Sequence, residues 1–323
     1  MRVCNAGDYN NSLKKRGDVF SILDKATKFW RYCDVEHVEK SKYVYSHTLM
    51  NLMGCLRYLL RLPFRQLSGF LESYLRHKGF SDLKAPDYST LCRRMKKERL
   101  NFKDHLSDAE KSTSRYVSLL IDSSCINIYA TGGGHSKANA ETRLYKHYDQ
   151  VRKLHIMLDL KTGDVLDMEM TEGAASDHLS GVPLIENCDL LIHSVCADAA
   201  YDPKPFREAC YLKGAKQIIP PLLNARLVKS TKKEPPALWN DRNEAVRIIK
   251  LALTREEGKK QWKEQVQYGK RAKVEGFFHR FKKTFGFYFM SASEDARRNE
   301  LVFKVMILNA FNHFPKPVFQ SVD

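Results

Sequence analysis

Tyr116-Val-Ser-Leu-Leu-Ile-Asp122 is a short apolar run closed by a carboxylate, and its reading decides the fold. A run of this length is short for a helix and predicts a buried strand. Leu190 to Ala197 repeats the pattern and again meets a carboxylate, Asp198. Lys153–Leu160 and Val165–Met170 predict two more strands, parted by the turn Lys161-Thr-Gly-Asp164. Helices are expected at His178–Asn187 and, with proline at its start, at Pro203–Leu212. Gln217-Ile-Ile219 supplies a last short strand.

Beyond it, Leu222 to Trp239 is polar, holds Lys229, Lys232, Lys233 and Pro235-Pro236, and reads as a loop or short insertion near 222–240. Helical patterns return at Arg242–Leu253, Tyr268–Phe285 and Asp295–Phe311. Three strands with hairpin-like links, then helix, strand, helix, strand and terminal helices suit an α/β fold. The layout is a mixed sheet flanked by helices, that of ribonuclease H-like nucleases, over residues 113–323.

Residues 1–112 read as an all-α N-terminal domain. Leu49, Leu52, Met53, Leu56, Leu59 and Leu60 recur at helical spacing until Pro63. A second amphipathic stretch, Phe64 to His77, is followed by Gly79 as its cap. After an extended linker, Asp87-Tyr-Ser-Thr-Leu-Cys-Arg-Arg-Met-Lys-Lys predicts a short helix carrying Arg93, Arg94, Lys96 and Lys97. Two helices with a basic second member suit a helix-turn-helix-like DNA-binding domain. The linker is longer than the usual tight turn, and a solvated basic helix end is the competing reading.

The chain has 323 residues with 54 Lys and Arg against 38 Asp and Glu, a net charge of +16. The excess is spread over both halves, which favours a polyanionic partner such as nucleic acid without selecting one. No apolar run approaches the roughly 18–20 residues that span a bilayer, so no membrane association is expected. A soluble, cytoplasmic and nucleoid-associated protein is the expectation. The eight cysteines are scattered, with no pair at the spacing of a zinc knuckle or redox motif, and are expected as reduced, mostly buried thiols.

The chemistry concentrates at Tyr268, Arg271, Glu275 and Lys282, spaced Y-x2-R-x3-E-x6-K. At about 100° per residue these four share one face of a helix. Val274, Phe277, Phe278, Phe281 and Phe285 lie largely on the other side. A helix with a packing face and a separate polar face has something to do beyond packing. Exchangeable surface ion pairs are the bland alternative. Carboxylates that end buried strands, Asp122 and Asp198, collect at the edge where α/β sheets bind ligands. With Glu275 they would repel one another unless cations neutralise them. All-oxygen ligands suit magnesium or manganese. Two such ions about 4 Å apart activate a water or a 3′-hydroxyl and stabilise a leaving oxygen. Arg271 and Lys282 are then candidates to neutralise phosphate charge, and Tyr268 to donate to a phosphate oxygen.

The chain resembles bacterial insertion-sequence transposases of the DDE class, in the insertion sequence 4 and insertion sequence 5 groups. The Tyr-Arg-Glu-Lys signature is similar to theirs at all four positions. Leu120-Ile-Asp-Ser-Ser124 resembles their first aspartate motif and Ala197-Asp-Ala-Ala-Tyr-Asp202 their second. Arg152-Lys-Leu-His155, Arg242-Asn-Glu-Ala245 and Pro86-Asp-Tyr-Ser-Thr-Leu91 also look like stretches of that family. Ser124 stands where Thr is common and Ala199 where Gly is common, and neither removes a ligand.

The resemblance implies a ribonuclease H-like core and a divalent-metal triad of Asp122, Asp198 and Glu275. It also implies terminal inverted repeats as substrate and a homodimeric complex that pairs two DNA ends. Cleavage is then followed by strand transfer into target DNA. A DNA-binding descendant without activity and a metal-dependent nuclease without strand transfer remain alternatives.

Other features carry less. His135, His147 and His155 fit no zinc spacing. Gly132-Gly-Gly134 lacks the Lys-Ser/Thr pair of a phosphate loop. Ser123 and Ser124 lack a nucleophile elbow. Trp239 and Trp262 are expected in the core.

Overall fold

The computed structural model describes residues 2–30, 44–97, 100, 102–105, 115–128, 150–229, 235–315 and 318–320. The triple glycine at 132–134, His135, His147 and part of the insertion at 230–234 lie outside them. In chain order the elements are β1 (Arg2–Val3), α1 (Ala6–Arg16), α2 (Val19–Lys28), α3 (His47–Leu59), α4 (Phe64–Lys78) and α5 (Tyr88–Lys97). There follow β2 (Tyr116–Asn127), β3 (Val151–Asp159), β4 (Val165–Glu172), α6 (Asp177–Glu186), β5 (Leu191–Cys196), α7 (Lys204–Leu212) and β6 (Lys216–Ile218). The last are α8 (Asn240–Leu251), α9 (Arg255–Gln265), α10 (Ala272–Phe285), α11 (Glu294–Asn312) and β7 (Phe319–Gln320).

Two compact units emerge, residues 102–283 and residues 1–101 with 284–323. A single cut near residue 112 does not describe this division, because the C-terminal segment clusters with the N-terminal helices. That segment continues the helix carrying Phe285 and contains α11, whose Phe303 is buried directly over Gly54 of α3. The helical unit buries Leu23, Leu49, Met53, Leu67, Leu71 and Leu91 in one cluster. Gly79, at φ 75°, caps α4 in the left-handed conformation that glycine adopts without strain. Besides its helices this unit holds a two-residue antiparallel ladder, β1 with β7.

The other unit is a five-stranded mixed sheet in the order β4-β3-β2-β5-β6. β2, β3 and β4 pair antiparallel, while β5 runs parallel to β2 and to β6. Helices flank it, an arrangement consistent with a ribonuclease H-like fold. Val117, Leu119 and Ile121 alternate onto one face, as strand periodicity requires, and pack with Leu184, Ile185, Phe206 and Cys210 of α6 and α7. Gly181 lets α6 approach closely, since a Cβ there would meet the Phe206 and Tyr201 rings at 2.8 and 2.9 Å.

Three local expectations change. β2 does not stop at Asp122 but runs to Asn127, because β3 goes on satisfying its backbone from Ser123↔His155 to Asn127↔Val151. The helix expected from Tyr268 splits into a 3-10 turn, Tyr268–Arg271, and α10. The break follows Gln267, at φ 54°, and contains Gly269, a poor helix former. α9, with a Thr254/Glu257 capping box, occupies residues for which no element was expected. No helix among the described residues is long and apolar enough to cross a membrane.

Candidate active site

Leu120 and Cys196 are the last paired residues of the parallel β2/β5 ladder. Asp122 and Asp198 each follow two residues later, so the ladder sets them side by side at its C-terminal end. Each is fixed by a backbone donor. Ser123 N–H donates to Asp122 Oδ1 at 2.9 Å, and Ala200 N–H to Asp198 Oδ1 at 2.9 Å, which caps the short 3-10 turn Ala199–Tyr201.

Arg271 and Glu275 arrive from the other side of the chain's order. Arg271 Nη2 donates to Asp122 Oδ2 at 3.0 Å and lies 4.0 Å from Asp198 Oδ2. Its Nη1 donates to Glu275, one turn into α10. One guanidinium therefore gathers all three carboxylates. Tyr268 donates its hydroxyl to Ala197 O at 3.3 Å, beside Asp198, while its ring packs on buried Trp262. Lys282, half-buried and two turns beyond Glu275, joins none of the ion pairs seen among the described residues at this cluster. The two-faced character of α10 is plain: Val274, Phe277, Phe278, Phe281 and Phe285 are buried, while Glu275 and His279 are exposed.

The electrostatics follow from burial. Desolvation pushes the Asp122 carboxyl up to about 6; Arg271 and the Ser123 N–H oppose this, and Asp198 and Glu275 reinforce it. The Tyr201 hydroxyl is buried without a hydrogen-bond partner among the described residues. Burial first, then Asp177, Asp122 and Asp198, hold it far above the usual phenol range. The donor set fits a hard divalent cation: oxygen ligands only, three negative charges, already drawn around one cationic group. As the side chains stand, no three His, Cys, Asp or Glu among the described residues meet at ligand distance.

Sequence reading missed a second tier behind the aspartates. Asp177, at the start of α6, accepts from Ser123 Oγ at 3.0 Å and from Lys153 Nζ at 2.9 Å. His155 is fully buried, with Nε2 2.8 Å from Thr171 Oγ1 and Nδ1 4.0 Å from Asp177. Burial pushes it down to about 4. Lys153 and His155 were visible as part of a motif, but only the register that sets His155 opposite Ser123 gives them a place. Asp202, which closes the second aspartate motif, is likewise an anchor. Its carboxylate accepts from Arg207, from Arg242 at 3.0 Å and from the Leu222 N–H at 3.0 Å.

In the helical unit, Arg93, Lys96 and Lys97 of α5 are exposed. Arg94 is not: it is 8% exposed and donates to Tyr45 O at 3.1 Å, so it serves the fold of that unit.

Residues 113–310 match the family model described as Transposase DDE domain, and residues 14–131 match a second model of the same description. The first match covers more than half of the chain and takes in Asp122, Asp198, the Arg271 turn and Glu275. The chain belongs to the family of transposases with a DDE domain.

Proposed function

We propose that this transposase cuts DNA at the ends of an insertion-sequence element of the insertion sequence 4 or 5 groups and joins those ends to target DNA. Asp122, Asp198 and Glu275 hold magnesium or manganese, two ions per site. When bound, the ions activate an oxygen nucleophile at neutral pH and stabilise the charge on the leaving oxygen. The chain's own residues set up the rest. Backbone N–H bonds orient Asp122 and Asp198, and Arg271 ties exposed Glu275 to the same cluster. Arg271 and Lys282 neutralise the phosphate, and Tyr268 fixes the strand segment beside Asp198. Hydrolysis frees a 3′-hydroxyl at the element end, which attacks a phosphodiester of the target.

The helical residues within 1–112 bind the terminal inverted repeat, with Arg93, Lys96 and Lys97 on phosphates. Two copies pair the two ends as a homodimer on double-stranded DNA, in the nucleoid of the cytoplasm. A net charge of +16 supports a polyanionic partner. The observation that carries the reading is the gathering of Asp122, Asp198 and Glu275 at the end of the parallel ladder.

The test is cleavage of labelled end-sequence DNA with magnesium, parent against Glu275→Gln. Metal-dependent cutting that the variant loses supports the reading, and a pre-cleaved end then tests strand transfer. Equal cutting by both proteins refutes the role of Glu275. Tight binding by both without cutting, in magnesium and manganese, favours a DNA-binding descendant.

A further inference from the structure

Two arginines of the sheet unit, Arg207 and the partly buried Arg271, are held in opposite ways. Arg207 is fully buried, and each of its nitrogens is bonded. Nε donates to Asp202 Oδ1 at 2.9 Å, Nη1 to Gln217 Oε1 at 2.9 Å, and Nη2 to Asp202 Oδ1 at 2.8 Å and Ile219 O at 3.0 Å. Such an arginine is built to stay.

Arg271 is not. Its Nε is buried with no hydrogen-bond partner among the described residues, an arrangement that costs stability. Two of its carboxylate partners reach solvent: the Glu275 side chain is 60% exposed and that of Asp198 40%. Yet Arg271 is the cation that stands within 4.0 Å of all three acids. An arginine does not lose its proton in a protein, so it can leave these oxygens only by moving. An incoming phosphate offers its planar fork a bidentate alternative.

From this contrast we infer that Arg271 is a displaceable internal cation, which neutralises Asp122, Asp198 and Glu275 in the absence of metal and competes with a divalent ion for the same oxygens. The inference rests on the triad reading above. It makes the site self-consistent without metal, since three acids at the ladder end need a counter-charge. It also makes metal binding and phosphate binding mutually dependent. A phosphate that draws Arg271 away frees the carboxylates for metal, and metal on the carboxylates frees Arg271 for phosphate. Linkage requires the two effects to be equal.

The test uses Mn2+ alone, without DNA, on the full chain. Calorimetry gives its affinity for the parent, Arg271→Gln, Arg271→Lys and Asp122→Asn, beside unfolding midpoints in EDTA and in Mn2+. The expected result is that Arg271→Gln binds Mn2+ roughly tenfold more tightly than the parent, within the usual range of such couplings. Its midpoint is below the parent's in EDTA and rises further than the parent's when Mn2+ is added. Arg271→Lys, whose single ammonium cannot bridge three acids, moves the same way by less and carries the test if the glutamine variant does not fold. Equal or weaker Mn2+ binding by the Arg271 variants, with binding lost in Asp122→Asn, overturns the competition and leaves the triad standing. Binding that Asp122→Asn leaves unchanged, or that is absent from all four proteins, overturns the triad and the competition with it.

Discussion

Leu120 of β2 and Cys196 of β5 face each other as the last pair of a parallel ladder, and each is followed two residues later by an aspartate. Asp122 and Asp198 therefore owe their proximity to strand register. Asparagine keeps the shape of either residue and removes its charge. Asp122→Asn and Asp198→Asn are each expected to lower metal-dependent cleavage by at least about a hundredfold, the scale of losing one preorganised charge-stabilising group. Asp122 is a carboxylate that burial disfavours, so its variant should keep or raise the unfolding midpoint. Parallel cleavage and denaturation measurements check both. Loss of activity together with folding would mean that the aspartates are structural.

Asp202 makes the opposite case within the same motif. Its carboxylate pairs with Arg207, which is wholly buried, and with Arg242. Asp202→Ala strands the Arg207 charge in the interior and is expected to cost about 3–5 kcal/mol. Chemical denaturation measures it, and lost cleavage should track lost folding. A stably folded but inactive Asp202→Ala would make this acid part of the chemistry instead.

The sheet strands and their partner helices were legible because short apolar runs, turn residues and strand-ending acids each leave a local mark. The polar and phenylalanine faces of α10 were legible from spacing alone. What was not legible depends on partners distant in sequence. Asp122 looked like a strand end because Asp-Ser-Ser124 interrupts the apolar run, yet β3 keeps pairing through Asn127. Arg94 looked like a surface cation because basic residues usually are, yet Tyr45 O, 49 residues away, takes its guanidinium. Helical phase placed Tyr268 and Arg271 on the same helix as Glu275, but the Gln267 break delivers them through a 3-10 turn.

Gly54 and Gly69 give substitutions of opposite sign. A Cβ at Gly54 would strike the ring of buried Phe303 in α11, whereas one at Gly69 has nothing within 4 Å. Gly54→Val is expected to destabilise by about 2 kcal/mol through overpacking. Gly69→Ala, exposed in α4, should stabilise by about 0.5–1 kcal/mol as a better helix former. Urea midpoints decide. A neutral Gly54→Val would argue against α11 packing on α3.

His155 gives stability a pH dependence. Its folded-state value is pushed down to about 4 by burial, against an ordinary 6.5. Between those values the unfolded chain binds a proton that the folded chain refuses, so stability falls as pH drops through the window and the loss levels off below about 4. The full effect is on the order of 3 kcal/mol. His155→Gln lacks it. The parent's stability advantage over this variant should therefore shrink by about 2 kcal/mol between pH 7.5 and 4.5. A constant difference across that range would mean that His155 is charged in the folded protein.

The basic helix α5 separates electrostatic contact from folding within four residues. Lys96 and Lys97 are exposed, as is Arg93, which donates weakly to Ser89 O at 3.4 Å. Arg94 is buried and bound to Tyr45 O. A lysine on a DNA phosphate releases about one counterion on binding. If α5 lies along the terminal repeat, Lys96→Ala and Lys97→Ala should each weaken binding at moderate salt. Each should also flatten the slope of log affinity against log salt by about 0.9, with no change in unfolding midpoint. Arg94→Ala should do the reverse. It leaves the Tyr45 carbonyl without its partner and lowers the midpoint by about 1–3 kcal/mol of stability, and any loss of DNA affinity follows from the loss of folded protein. Fluorescence anisotropy over a salt series, paired with denaturation, reads both quantities on the same preparations. Salt slopes identical to the parent in both lysine variants would take α5 off the DNA and leave it as a solvated helix end. In that case the positive charge that binds the repeat has to be sought elsewhere on the helical unit.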